Sequence, residues 1–289
     1  MSANEYGVLV AVGADGIGDG ALDLAAAEAV RRETGVELVH VVHSLVVVPS
    51  EPGQLEAVDR ALTRVGRTVL TDAAERMRQR LDGRCPVSSQ LLTGRVAATL
   101  ADRGSHGSLV VLERRDVGLV ERLLTMSVST AVAAHAHAPV LVVPHGWTPS
   151  ADPLPVTVGV DHAPDAAGQV PVAAAYARAV GRPLVVLHAA WIAEPYQDMV
   201  FMDYTRRSWL HDAGEQIRTS LATSDVDPDH DLALEVRWER PAEALVEASR
   251  SSSVLVLSRR AGEHGTRLGS LTRTVLQHAA CPVLLVDRG

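Results

Sequence analysis

The 289-residue chain contains no lysine: all 27 of its basic side chains are arginine, set against 35 acidic ones for a formal charge of −8. Schiff-base chemistry requires a lysine amine, and a Walker A phosphate loop requires Gly-Lys-Ser/Thr, so both classes are excluded. Asparagine is nearly missing too, with Asn4 alone. Lysine and asparagine share A/T-rich codons, so their joint scarcity points to a GC-rich genome, with arginine standing in for lysine on the surface. The two cysteines, Cys85 and Cys281, lie far apart and form no metal-ligand spacing. No apolar run approaches the roughly 18 to 20 residues of a membrane span, and Met1 to Tyr6 shows no signal-peptide core. The acidic balance argues against nucleic acid as a partner. A soluble, cytoplasmic protein is expected.

What the chain does have is 47% hydrophobic and 21% charged residues, a globular balance, and enough length for about two domains. It also repeats itself. Each half opens on a short apolar strand pattern, Tyr6 to Val12 and Pro155 to Val160. An alanine-rich helix follows, Gly20 to Glu33 and Gly168 to Val180, closed by Gly35 or Gly181. A second strand pattern ends in histidine, at His43 and at His188. Next come a long amphipathic helix (Leu55 to Leu81, Tyr204 to Leu221), a third strand (Val87 to Leu92, Leu232 to Val236) and a short helix (Val96 to Arg103, Pro241 to Arg250). The fourth strands match directly, Leu109 to Arg115 against Val254 to Arg260, and so do the last helix and strand, Met126 to Val143 against Gly269 to Val286.

Short continuous apolar runs alternating with helices imply parallel strands buried on both faces, and right-handed crossovers then give a doubly wound sheet in each half. The proline-rich joint around Trp147 to Pro155 suits neither helix nor central strand. The expected division is residues 1–146, a linker at 147–154, and residues 155–289. Ligands of such sheets bind beyond the carboxyl ends of the strands at the topological switch point, so the loops after strands one and four are the places to search.

Those loops, with the Val-Gly-Val-Asp161 pattern, the histidine of strand two and the ending Gly269-Ser270…His278-Ala-Ala-Cys-Pro-Val-Leu-Leu-Val286, make the chain resemble the universal stress protein family in its tandem two-domain form. The resemblance covers nearly the whole chain. It implies an α/β fold of two tandem doubly wound, Rossmann-like domains, adenine nucleotide alpha hydrolase-like, each with a five-stranded parallel sheet. It further implies a pseudo-dimer within the chain through Val140–Val143 and Val283–Val286, and a homodimer between chains. Nucleotide-binding members carry Asp after strand one and Gly-x2-Gly-x9-Gly-Ser/Thr after strand four, whose small residues let backbone N–H groups and a helix N-terminus approach phosphate.

The two halves depart from that pattern differently. In the first, the Asp position is Gly13 and the glycine positions hold Glu113, Asp116 and Met126, with Ser127 kept. Two carboxylates there would repel phosphate, and Arg114 and Arg115 are expected to pair with them. In the second, Asp161, Gly269 and Ser270 are present, Ser258 and Ala261 replace the first two glycines, and the loop is two residues shorter, with Gly262, Gly265, Arg259, Arg260 and Arg267 around it. Two readings stand for this half. One is a residual ATP or AMP site built on Asp161, Ser258, Ala261, Gly269 and Ser270. The other is an inherited helix start with Ser270 as cap and Asp161 as a turn residue.

The remaining features carry less. Gly13 to Gly20 fits only a relaxed dinucleotide pattern at Gly16, Gly18 and Ala21, and with Asp15 and Asp19 opposing phosphate it reads as a connection and helix start. His135 and His278 match in the repeat at helix C-termini, where histidine complements the dipole; no metal site is expected. No nucleophile elbow, zinc-protease helix or partnered cysteine occurs, so dedicated catalysis is not expected. Trp191, Tyr196, Phe201, Tyr204 and Trp209, with Met199 and Met202, cluster in the second half only. They suit either a partner-docking patch or lid or packing between the two domains. The functional expectation is a stress-response protein acting by binding, with nucleotide binding lost in the first half. The alternative is an ATP- or AMP-binding regulator using the second-half site, or a slow ATP hydrolase.

Overall fold

The computed structural model describes residues 7–43, 54–115, 128–191, 203–222, 224–228, 230–259 and 268–287. The chain divides into two compact units, Met1–Thr148 and Pro149–Gly289. The first contains β1 (Val8–Ala11), α1 (Asp19–Arg31), β2 (Val36–His43), α2 (Gln54–Leu81), β3 (Val87–Gly94), α3 (Val96–Gly104), β4 (Leu109–Arg114), α4 (Val128–His135) and β5 (Val140–Pro144). The second contains β6 (Val156–Val160), α5 (Ala163–Ala179), β7 (Leu184–Ala190), α6 (Asp203–Leu221), β8 (Ala233–Trp238), α7 (Pro241–Ala248), β9 (Val254–Arg259), α8 (Ser270–His278) and β10 (Val283–Asp287).

In the first unit the strand order is β3-β2-β1-β4-β5, and in the second β8-β7-β6-β9-β10, with every such neighbour pair parallel. The chain therefore leaves the first strand in one direction and returns to its other side at the fourth. The switch point lies between β1 and β4, and between β6 and β9. The apolar runs form strands because they are covered on both faces: Leu9, Leu38, Leu109 and Leu141 in one unit, and Leu187, Leu255 and Leu285 in the other, are fully buried, whereas β3 and β8 are only partly covered.

The polar residues inside these strands are held by specific partners. Glu37 of β2 is buried and accepts from two nitrogens of Arg103 on α3, Nε at 3.0 Å and Nη2 at 2.6 Å, a bidentate charge-assisted pair. His40 Nδ1 donates to the Val12 carbonyl at 2.8 Å, and His188 Nδ1 donates to the Val160 carbonyl at 2.9 Å. The repeat partner of His188 is thus His40, not the terminal His43. Strand β7 runs two residues beyond His188, so matching the strands by their last histidine misaligns them.

Cys281 illustrates how deep the second core is. Burial pushes its thiol up to about 12, leaving roughly one thiolate in ten thousand at pH 8. We expect iodoacetamide to alkylate the half-buried Cys85 in the native protein and Cys281 only after denaturation. Peptide mass spectrometry reads the order, and native labelling of Cys281 at a comparable rate contradicts it.

Candidate functional site

At the carboxyl end of the second unit's sheet, six elements converge on a cavity of about 260 Å³. Strand β6 delivers Val160 and, one residue past its end, Asp161; β9 delivers Leu257 and Ser258; and β7 delivers Leu187 and Ala189. Helix α7 adds Pro241 and Leu245, α5 adds Gln169, and Leu268 to Thr272 form the wall where α8 begins. The cavity is mixed in character. Leucine, alanine and proline side chains from β7, α7 and β9 give it apolar lining, and Asp161, Gln169, Ser258, Ser270 and Thr272 give it polar lining.

Of the residues singled out in the sequence, Asp161, Ser258, Gly269 and Ser270 all border this cavity. Ala261 lies outside the described residues, as do Arg260, Gly262, Gly265 and Arg267. Asp161 is about half exposed, with His162 Nε2 3.8 Å from its Oδ2.

Ser270 does not cap α8. The N-cap is Gly269, in extended conformation with no side-chain capping bond, and the first turn carries no acidic residue. The first backbone bond of the helix runs from Arg273 N–H to the Gly269 carbonyl at 3.1 Å. The amides of Ser270, Leu271 and Thr272 therefore have no partner within the helix, and they lie where the helix dipole favours an anion.

Arg259 is not available to such an anion. It is buried beside β10, with Nη2 2.8 Å from Asp287 Oδ1, and burial holds its guanidinium below its usual range despite that partner.

Sequence reasoning missed Gln169. It is only 3% exposed, and its Nε2 donates to Ser258 Oγ at 2.6 Å. The signal was present: a polar residue on the buried stripe of α5 formed by Ala166, Val170, Ala173 and Ala177.

In the corresponding corner of the first unit, described side chains occupy positions at the loop after β1. Glu113 of β4 has a side chain only 7% exposed. Its Oε2 accepts the Gly18 N–H at 3.0 Å, and its Oε1 accepts from His145 Nδ1 at 3.0 Å. A β-carbon on Gly18 would sit 2.4 Å from Glu113 Oε1, so glycine there is what admits the carboxylate. Arg115 does not pair with Glu113 as the sequence suggested. It pairs with Asp15, donates to the Gly16 carbonyl at 3.1 Å and packs against Gly13.

The glycine cluster is a turn, with Gly13 and Gly16 exchanging backbone bonds of 3.0 and 3.1 Å, and α1 begins at Asp19. Asp19 bonds to Arg76 and Arg80 of α2, which holds its carboxyl below the usual range. Asp116, Met126 and Ser127 lie outside the described residues.

Two other candidate sites can be placed. His135 and His278 are the last residues of α4 and α8, and among the described residues no cluster of three or more His, Cys, Asp or Glu suits a metal ion. Trp209 stacks on His188, with centroids 6.2 Å apart, and meets Trp238 edge-on at 5.1 Å. It thus packs inside the second unit, an arrangement that neither expectation for the cluster included. Arg240 lies 4.3 Å over the Trp191 ring. Tyr196, Met199, Phe201 and Met202 lie outside the described residues, as does the side chain of Tyr204.

Comparison with known proteins follows the duplication. The model of the universal stress protein family matches twice, at residues 7–144 and 154–287. A universal stress protein of Mycolicibacterium smegmatis is 30% identical over 304 residues, spanning 99% of this chain and 98% of that one. The crystal structure of a universal stress protein from Archaeoglobus fulgidus superposes with a TM-score of 0.66 at 14% identity, covering 100% of this chain and 99% of the other. A universal stress protein solved in complex with cAMP is 21% identical and covers 48% of this chain and 97% of its own, with a TM-score of 0.34. With a doubly wound α/β unit in each half and a family match across both, the chain belongs to the universal stress protein family, as a tandem of two such domains.

Proposed function

We propose that this protein acts by binding, through one small-molecule site per chain in the second domain, with AMP or ATP as the ligand class and no nucleotide bound in the first. The observation that carries the reading is the meeting of Asp161, Ser258, Gly269 and Ser270 at one cavity beside the uncapped start of α8. Apolar lining suits a base, and free helix amides suit a phosphate. The volume of about 260 Å³ is small for a binding pocket, which favours the monophosphate. In the first domain the Glu113 carboxylate already takes the Gly18 amide, and a second anion there would meet its charge.

Titration calorimetry of the full chain with AMP and with ATP tests this. The expected result is one site per chain, with AMP bound at least as tightly as ATP. Two sites per chain would overturn the assignment of the first domain, and no heat with either nucleotide up to millimolar concentration would overturn the whole reading. On the family resemblance we also propose that the two domains pair through Val140–Val143 and Val283–Val286 and that chains dimerise. Light scattering at two chain masses supports the latter.

A further inference from the structure

The floor of the binding corner differs between the domains at one pair of matched positions. Aligning the repeats at Val12 with Val160 and Gly20 with Gly168 sets Ala21 opposite Gln169, and the fourth-strand match sets Glu113 opposite Ser258. In the first domain the long side chain comes from the strand. Buried Ala21 on α1 is short, and Glu113 spends its carboxylate on Gly18 N–H and His145. In the second domain the lengths are exchanged, with the long Gln169 on the helix and the short Ser258 on the strand. That pair is not satisfied internally.

Gln169 Oε1 is buried and accepts no hydrogen bond from the described residues. Turning the amide over would bond Oε1 to the serine hydroxyl and strand the NH₂ instead, so one polar group stays unmet in either orientation. As placed, Ser258 Oγ accepts from Gln169, which leaves its own hydrogen to donate elsewhere, and no acceptor for it occurs among the described residues. Both residues line the cavity. The floor therefore offers one acceptor and one donor side by side, with no charge. An alcohol O–H supplies the complement of both, whereas an ionised phosphate oxygen, an acceptor only, would leave the amide oxygen stranded. The helix amides of α8, on another wall, remain for the anionic group.

We infer that Gln169 and Ser258 form a hydroxyl-reading floor, and that Gln169 is a specificity-determining residue selecting ligands that carry a sugar hydroxyl. This rests on the proposed second-domain site. The amide gives up its bond to Ser258 or shares it as the ligand hydroxyl enters, and a deoxy ligand leaves both protein groups unmet.

The test compares AMP, 2′-deoxy-AMP, 3′-deoxy-AMP and adenosine by calorimetry on the full chain, in the wild type and in Gln169→Leu. Leucine is close to glutamine in size, favours helix and removes the unmet group, so the variant is expected to melt no lower than the wild type. The wild type should bind AMP about tenfold or more tightly than at least one deoxy analogue, and Gln169→Leu should bind all three nucleotides within about twofold of one another. If Gln169→Leu fails to fold, Ser258→Ala takes its place, with the same loss of preference expected. Equal binding of all three by the wild type, or a preference retained in the variants, overturns the hydroxyl assignment while leaving the site itself in place. Failure of AMP and adenosine alike to bind the wild type overturns the site and the inference together.

Discussion

Gly269→Asp should bind AMP roughly a hundredfold more weakly than the wild type while melting at the same temperature or slightly higher. The two effects have one cause. Gly269 is the N-cap of α8, at φ −60° and ψ 161°, with no atom of the described residues within 4 Å of where a β-carbon would stand, and its backbone conformation accepts a side chain without strain. Aspartate there would accept hydrogen bonds from the first-turn amides and complement the helix dipole. Together these are worth about 0.5 to 1 kcal/mol over glycine, or a few degrees at most in a domain of this size. The same carboxylate covers the amides assigned to the ligand and sets a like charge against its phosphate, a penalty of several kcal/mol. Calorimetry with AMP and a thermal melt on one preparation read both. A variant that binds normally would show that α8 does not hold the anion. One that loses binding only by losing stability would show that the glycine serves the fold.

Gly7→Ala should cost the first domain about 3 kcal/mol and divide a single melting transition into two. Gly7 enters β1 at φ +67°, and a β-carbon there would lie 2.2 Å from the Gly35 carbonyl oxygen and 2.6 Å from Thr34 Oγ1. The left-handed conformation costs a side-chain-bearing residue about 1 to 2 kcal/mol, and forcing backbone apart at a packed site about 1 to 3 more. The residue cannot simply move, because its carbonyl accepts from Ser108 at 2.8 Å and the next residue donates to Gly35 at 2.9 Å. These bonds tie together the starts of the first, second and fourth strands. The damage stays within residues 7–144, so scanning calorimetry should show an early transition lowered by about 6 to 12 °C and a later one unmoved. A loss under about 2 °C would mean the turn relaxes readily, and one transition lowered as a whole would mean the domains melt together.

Most of the fold could be read in the sequence because parallel strands covered on both faces show as unbroken apolar runs, and here they show twice. What could not be read depends on neighbours rather than on residue type. Where a strand stops is set by its pairing: β3 passes Leu92 to Gly94 because β2 runs on to His43 beside it, and β7 passes His188 to Ala190 beside Trp238. The deeper His40 was therefore overlooked as the structural partner of His188. Ser270 has the chemistry of a cap, but the chain turns one residue earlier, at Gly269. Trp209 lies within a segment rich in exposed-looking aromatics, and only the position of α6 over β7 and β8 shows it stacked on His188 and Trp238. Gln169 shows why a motif search is incomplete. The family pattern names the loops after strands one and four, whereas the residue that touches Ser258 comes from one face of the intervening helix.

Glu113 has a consequence for how the first domain meets any solute. Its carboxylate is bonded to the Gly18 amide from within the same chain, so it acts as a tethered competitor at an effective concentration on the order of millimolar or above. A free anion seeking that amide must displace a rival that dilution never removes. Such a corner is saturated only at a correspondingly higher solute concentration, and lowering the solute leaves the carboxylate in place. That corner of the first domain is in this sense permanently loaded by its own chain.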